Sequence, residues 1–244
     1  MLQADMPQEG SLASLTSPEI PQGVTVLVPV GSIEQHGPHL PLDTDTVIAT
    51  AVATAAAEQM ARTAARTGDP GAQESSILVA PPLSYGSSGE HQDFPGTSSI
   101  GTGVLHDVIV ELTRSMGTWA DRVVFVNAHG GNLTALRGAV AQLVGEGHEV
   151  SWVACATEEV DLHAGRTETS LMLLLRPHDV RFDRAEAGNT GTLEELLPQM
   201  MAGGVKAVSA NGVLGDPAGA SAEEGATVLS AMVDDVVGFV ARMR

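Results

Sequence analysis

Short apolar runs alternate with longer helical patterns along most of the chain. "VTVLVPVG" (residues 24–31) is β-branched and unbroken, which predicts a buried strand. "DTVIATAVATAAAEQMARTAART" (45–67) is Ala-rich with helical periodicity and predicts a long helix. A turn-rich surface loop, "TGDPGAQES" (67–75), leads to a second strand in "SILVAPP" (76–82). The same alternation continues with a helix in 103–120, a strand in "RVVFVN" (122–127), a helix over 132–147 and a strand in "EVSWVACA" (149–156). "ETSLMLLL" (168–175) reads equally as a helix start or a buried apolar segment. The last 24 residues, 221–244, predict an amphipathic helix capped by Ser221.

Strand and helix in alternation imply a mostly parallel sheet covered on both faces. The expected organisation is a flexible arm over residues 1–22 and one α/β domain over 23–244. In such sheets ligands gather beyond the carboxyl ends of the strands. Three post-strand segments carry chemistry there: "GSIEQHGPHLPLDTD" (31–45), "NAHGGN" (127–132) and "DLHAGRTETS" (161–170).

Imidazole and carboxylate together are the ligand set of Zn²⁺, Mn²⁺ or Fe²⁺ in hydrolases. Glu34 and His36 are two apart, so an extended segment points both the same way. Two cations roughly 3.5–4 Å apart need a shared ligand, and Asp45 at a helix start is a candidate bridge. A single His beside a single Asp is more often an ordinary polar contact, and Asp43 is expected to cap the helix. Three His-bearing segments at one sheet edge are not explained that way. The serine-rich "YGSSGE" and "PGTSSIG" lack a nucleophile elbow, and "HGGN" matches neither a P-loop nor a Rossmann turn. Its backbone N–H groups remain a candidate anion site. His106, His148 and His178 have no evident partners and read as surface or packing residues.

Composition narrows the partners. The net charge of −18 disfavours nucleic acid or an anionic membrane surface. No run approaches the ~18 apolar residues of a spanning helix. The lone Cys155 excludes an internal disulfide, reads as a core thiol and fits the cytoplasm. The N-terminal stretch has neither a basic n-region nor an apolar h-region, so no signal peptide is expected.

"GSIEQHGPHLPLDTD", "NAHGGN", "HAGRTETSLML" (163–173) and "NGVLGDPAGASAEEG" (211–225), in that order, resemble the creatininase family of metal-dependent amidohydrolases. The resemblance implies a three-layer α/β/α sandwich, two divalent ions per subunit and a homo-oligomer, commonly a hexamer. By position, it implies Glu34, Asp45 and His129 around one metal. His36, Asp45 and a further carboxylate would hold the other. The family's creatinine hydrolases carry that carboxylate where this chain has Gly131, which puts creatinine in doubt as substrate. Glu168 is the expected replacement.

"GSSGEHQDFPGTSSIG" (86–101) and "DLHAGRTETSLML" (161–173) are most similar to family members that act as peptidases on a radical-SAM-modified precursor peptide. This implies release of the part carrying a C-terminal Val-Tyr unit, by attack of a metal-bound hydroxide. His163 would pass a proton to the leaving amine, or else orient a ligand from outside. Arg166 is a candidate for a substrate carboxylate, or a salt-bridge partner, and His91 belongs to a flap over the site or to loop packing. The alternatives are a small-molecule amidohydrolase (a creatinine or lactam hydrolase or a formamide deformylase) and a non-catalytic metal-binding scaffold. His163 argues against the scaffold.

Overall fold

The computed structural model describes residues 10–67, 76–156 and 161–243. The turn-rich loop at 68–75 and part of the segment after the fourth strand, 157–160, lie outside the described residues. Four strands, β1 (Thr25–Val30), β2 (Ile77–Val79), β3 (Arg122–Asn127) and β4 (Val150–Ala154), form one parallel sheet in the order β2-β1-β3-β4. All four fall where the apolar runs predict them.

Six α-helices flank the sheet among the described residues: α1 (Thr44–Thr67), α2 (Gly101–Met116), α3 (Leu133–Gly145), α4 (Arg166–Leu175), α5 (Leu193–Gly203) and α6 (Ala222–Arg242). Alternating strand positions face opposite layers. Val26 and Val28 pack with Phe125, Leu105, Ile109 and Leu136 on the α2/α3 side. Leu27 and Val124 pack with Ile48, Val52, Leu171 and Val236 on the α1/α4/α6 side. This is the expected α/β/α sandwich. Each fully buried aliphatic side chain contributes about 1.5–3 kcal/mol of transfer free energy. Truncating Ile109, wholly buried on the core-facing side of α2, therefore costs about 2–5 kcal/mol.

Pro29 sits inside a central strand without breaking it. Its carbonyl accepts the Leu83 N–H at 2.9 Å, on the side where β2 has already ended at Val79. The N–H that proline lacks would point to that same side, where the ladder no longer needs it.

Two expectations are corrected, and the others here are resolved or met. The described part of the expected arm, residues 10–22, is laid on the sheet: Leu12, Leu15 and Ile20 pack against the α2/α3-side core, and Val79 donates to the Gly10 carbonyl. Burying three apolar side chains outweighs the loop-like composition around them. Asp43 does precede α1, and its carbonyl accepts from Val47, but its carboxylate pairs with Arg176 at 2.9 Å rather than capping the helix. "ETSLMLLL" is helical, as α4. Ser221 caps α6 as expected, its hydroxyl accepting from the Glu224 N–H at 3.2 Å. Cys155 packs against the α1/α6-side core, and burial pushes its thiol pKa up.

Candidate metal centre and its pocket

Register explains why distant motifs meet. Val30 pairs with Asn127, and Asn127 with Ala154, so β1, β3 and β4 end in one row. The segments leaving them open on the same edge, and α4 brings a fourth from below.

Asp45 lies in the first turn of α1, where the helix terminus favours a carboxylate. Its Oδ1 is 3.1 Å from His36 Nε2 and its Oδ2 is 3.3 Å from His129 Nδ1. The Ser32 hydroxyl donates to Oδ2 at 2.7 Å. Asp45 thus stands between two imidazoles delivered by different strands. Glu34 faces the same space from the other side of the loop. Its Oε2 is 3.2 Å from His129 Nε2, and its Oε1 is 3.3 Å from His91 Nε2 and 3.6 Å from His163 Nδ1. Glu168, in the first turn of α4, places Oε2 at 3.9 Å from His36 Nε2. The Ala164 N–H holds that oxygen at 2.6 Å. Ala164 itself has a φ of 52°, a left-handed conformation that costs a non-glycine residue about 1–3 kcal/mol.

Both Glu34 oxygens are buried without a hydrogen-bond partner. A buried carboxylate in that state is expensive, and the nitrogens facing it point lone pairs or protons at the same small volume. Glu34, His36 and Asp45 offer ligand atoms within 4.8 Å of one another, as do His36, His163 and Glu168, and Glu34, His91 and His163. The donor set is oxygen and imidazole nitrogen without thiolate, which suits Zn²⁺, Mn²⁺ or Fe²⁺ in an open site. The residues present fit divalent cations.

Charge in the cluster is tightly linked. Burial pushes Glu34 up to about 7, opposed by His129 and reinforced by Asp45. Burial likewise raises Glu168 to about 7, with His36 opposing. For His36 burial acts downward, yet Asp45, Glu168 and Glu34 carry it up to about 10. Glu34, Asp45 and Glu90 do the same for His129, also about 10, against its burial. Burial works to raise Asp45, but His36 and His129 hold it well below the usual carboxylate range. His91 is lowered to about 3 by burial and the neighbouring His129 and His36. Burial, with His36 and His91, keeps His163 well below an ordinary histidine.

Sequence reasoning missed Gln35, although it stands between two of the predicted ligands. Its amide donates to the Gly212 carbonyl at 3.0 Å and lies 2.8 Å from His91 Nδ1, while its backbone carbonyl is 2.8 Å from His163 Nε2. It also missed Glu90, whose Oε1 is 3.5 Å from His129 Nε2. Helix α5 went unread as well, although the capping box Thr192–Glu195 announces it. Its Leu193, Leu197, Met200 and Met201 form one wall of a cavity of about 450 Å³ whose floor includes Glu34, His129 and His163. Arg166 stands outside the cluster: its Nε is 2.8 and 2.9 Å from the two Glu224 oxygens, beside an adjoining cleft of about 630 Å³ that shares Leu162, Leu193 and Leu214 with the first cavity.

A parallel sheet whose carboxyl edge gathers buried carboxylates and imidazoles beside a cavity defines a candidate metal centre in an α/β fold. The chain belongs to the creatininase family: the family model described as "Creatinine amidohydrolase" matches residues 13–240. As a member it is a hydrolase acting on carbon–nitrogen bonds. It is 52% identical over 238 residues to the mycofactocin precursor peptide peptidase of Mycobacterium ulcerans, covering 97% of this chain and 93% of that one. Creatinine amidohydrolase of Pseudomonas putida is 30% identical over 200 residues, covering 65% of this chain and 67% of its own. A solved creatininase variant in a zinc–zinc form superposes with a TM-score of 0.73 at 24% identity, over 97% of this chain and 98% of that one. That likeness carries the fold.

Proposed function

We propose that the protein is a metal-dependent peptidase that hydrolyses a peptide bond in the radical-SAM-modified mycofactocin precursor peptide, releasing the portion with its C-terminal Val-Tyr-derived unit. The observation that carries this reading is the 52% identity, over 97% of the chain, to a mycofactocin precursor peptide peptidase. The glycine at 131 adds to it, because the side chain that the creatinine-hydrolysing pattern expects there has no room.

Glu34, Asp45 and His129 would hold one divalent cation and His36, Asp45 and Glu168 the other, with Asp45 shared. A pair of such ions supplies a water that ionises near neutral pH and a Lewis acid for the scissile carbonyl. The protein's own part is proton transfer and exclusion of solvent. The Gln35 carbonyl engages His163 Nε2 at 2.8 Å, which leaves Nδ1 facing the centre. Held neutral by burial, His163 can take a proton at Nδ1 and return it to the leaving amine nitrogen as the C–N bond breaks. His91 closes the flap side against Glu34. Arg166 is better read as the partner of Glu224 than as a substrate clamp, since its Nε is already engaged with that carboxylate. The protein is proposed to work in the cytoplasm as a homo-oligomer; no described helix is long and apolar enough to cross a membrane.

The test is mass spectrometry of products after incubation with the modified precursor peptide and, separately, with creatinine, each with and without chelator. Chelator-sensitive cleavage of the peptide alone is the expected result. Ring opening of creatinine with intact peptide would instead support the small-molecule amidohydrolase.

A further inference from the structure

The centre holds a carboxylate that the proposed ligand set does not use. Asp45 lies between His36 and His129, at 3.1 and 3.3 Å. Glu168 faces the same nitrogen of His36, 3.9 Å from Nε2. Beyond His129 stands Glu90, 3.5 Å from its Nε2, on the turn Gly89–His91. Two further carboxylates therefore stand beside the imidazoles: Glu168 from α4, on the same His36 nitrogen as Asp45, and Glu90 from the flap, on the His129 nitrogen turned away from Asp45 and 3.1 Å from the Ser87 carbonyl.

Gly131 explains the second. A Cβ at 131 would overlap Glu90 Oε1, the Ser87 carbonyl and His129 Nε2. A side chain at 131 and the Glu90 carboxylate are thus alternative occupants of one volume. The Glu90 turn is also fixed in place. His91 N–H donates to the Ser88 carbonyl at 3.0 Å, and a Cβ on Gly204, at the end of α5, would come within 2.7 Å of the Glu90 carbonyl. Close by lies Glu34, fully buried with both oxygens unpartnered and aimed into the same space.

We propose that Glu90 adds a carboxylate to the His129 side of the metal centre, in the volume that the glycine at 131 leaves open, so that the flap turn is part of the metal site. This rests on the two-cation reading above. Glu168 remains the carboxylate of the His36 side, as in the proposed ligand set, and Glu90 comes in addition to it, from a different loop.

The experiment is metal binding rather than turnover. Wild type, Glu90→Gln and Glu168→Gln are stripped, loaded with Co²⁺, and followed by titration, visible spectroscopy and elemental analysis after desalting. Wild type is expected to retain two ions. Glu90→Gln should weaken one of the two by at least about tenfold, the scale of losing a supporting carboxylate, and shift the Co²⁺ absorption bands. Glu168→Gln should affect the other ion, with a different spectral change. A Glu90→Gln protein with the wild-type isotherm and spectrum would overturn the inference while leaving the two-cation reading standing. Fewer than two ions in the wild type would overturn that reading itself. Thermal melts of the stripped proteins check folding. If Glu90→Gln does not fold, Glu90→Asp carries the same test, and unmoved Co²⁺ bands in it overturn the proposal.

Discussion

Glu34, His36, Asp45 and His129 were legible because each lies in a short segment just past an apolar strand, where the chain has to turn anyway. Gln35 and Glu90 were not, because nothing local distinguishes them. Gln35 matters through Gly212 and His163, far along the chain, and Glu90 through a glycine 41 positions later. At this scale the sharpest prediction concerns His163. Its Nε2 is anchored by a backbone carbonyl and its Nδ1 faces Glu34 at 3.6 Å, the arrangement of a proton carrier. His163→Ala is expected to lower kcat by about 10²–10⁴-fold, the usual worth of general acid–base catalysis, with metal content unchanged. Elemental analysis alongside the assay decides: metal lost together with activity would place His163 among the ligands.

The four strands could be read from the sequence, since a parallel sheet buried on both faces writes itself as unbroken apolar runs. Helix α5 could not be read so easily. Pro198 interrupts it, and Leu193, Leu197 and Met201 are 48%, 43% and 81% exposed, so it lacks a clean buried stripe. Those same exposed side chains form an apolar wall of the cavity, and on the proposed function this makes α5 the element expected to meet the substrate. Leu197→Ala removes apolar contact without touching the ligands. It should raise KM for the modified peptide by about fivefold, near 1 kcal/mol, while kcat stays within about twofold. Steady-state kinetics checks this, and a fall in kcat with unchanged KM would assign α5 to another task.

At the scale of the molecule, the metal centre couples proton uptake to folding. His36 and His129 rise from 6.5 to about 10 in the metal-free fold, and Glu34 and Glu168 from 4.5 to about 7. All four groups bind protons more tightly folded than unfolded, so their contribution is complete at low pH. The Glu part is lost as pH rises through about 7 and the His part as it rises through about 10. Asp45, His91 and His163, all lowered, act in the opposite sense, but only below about 6.5. The metal-free protein should therefore melt at progressively lower temperature from pH 7 to pH 10, and the metal-loaded protein much less so. Calorimetric metal titration at pH 7 in buffers of different ionisation enthalpy should report net proton release. Uptake, or none, would contradict the assignment. One residue in the fold constrains how such a site can change. Asn132 donates to the Gly31 carbonyl and to Asn127 Oδ1, both at 3.0 Å, and accepts the Ser87 N–H at 2.8 Å. It ties the ends of β1 and β3 to the base of the flap, and Ile33 and Gly86 stitch the flap's far end through Ser98 and Ile100. The flap is consequently masonry rather than a door. The exposed Leu193, Leu197 and Met201 line the cavity on the α5 side, so a lineage could acquire a new substrate by rewriting that one helix while its inorganic chemistry stayed untouched.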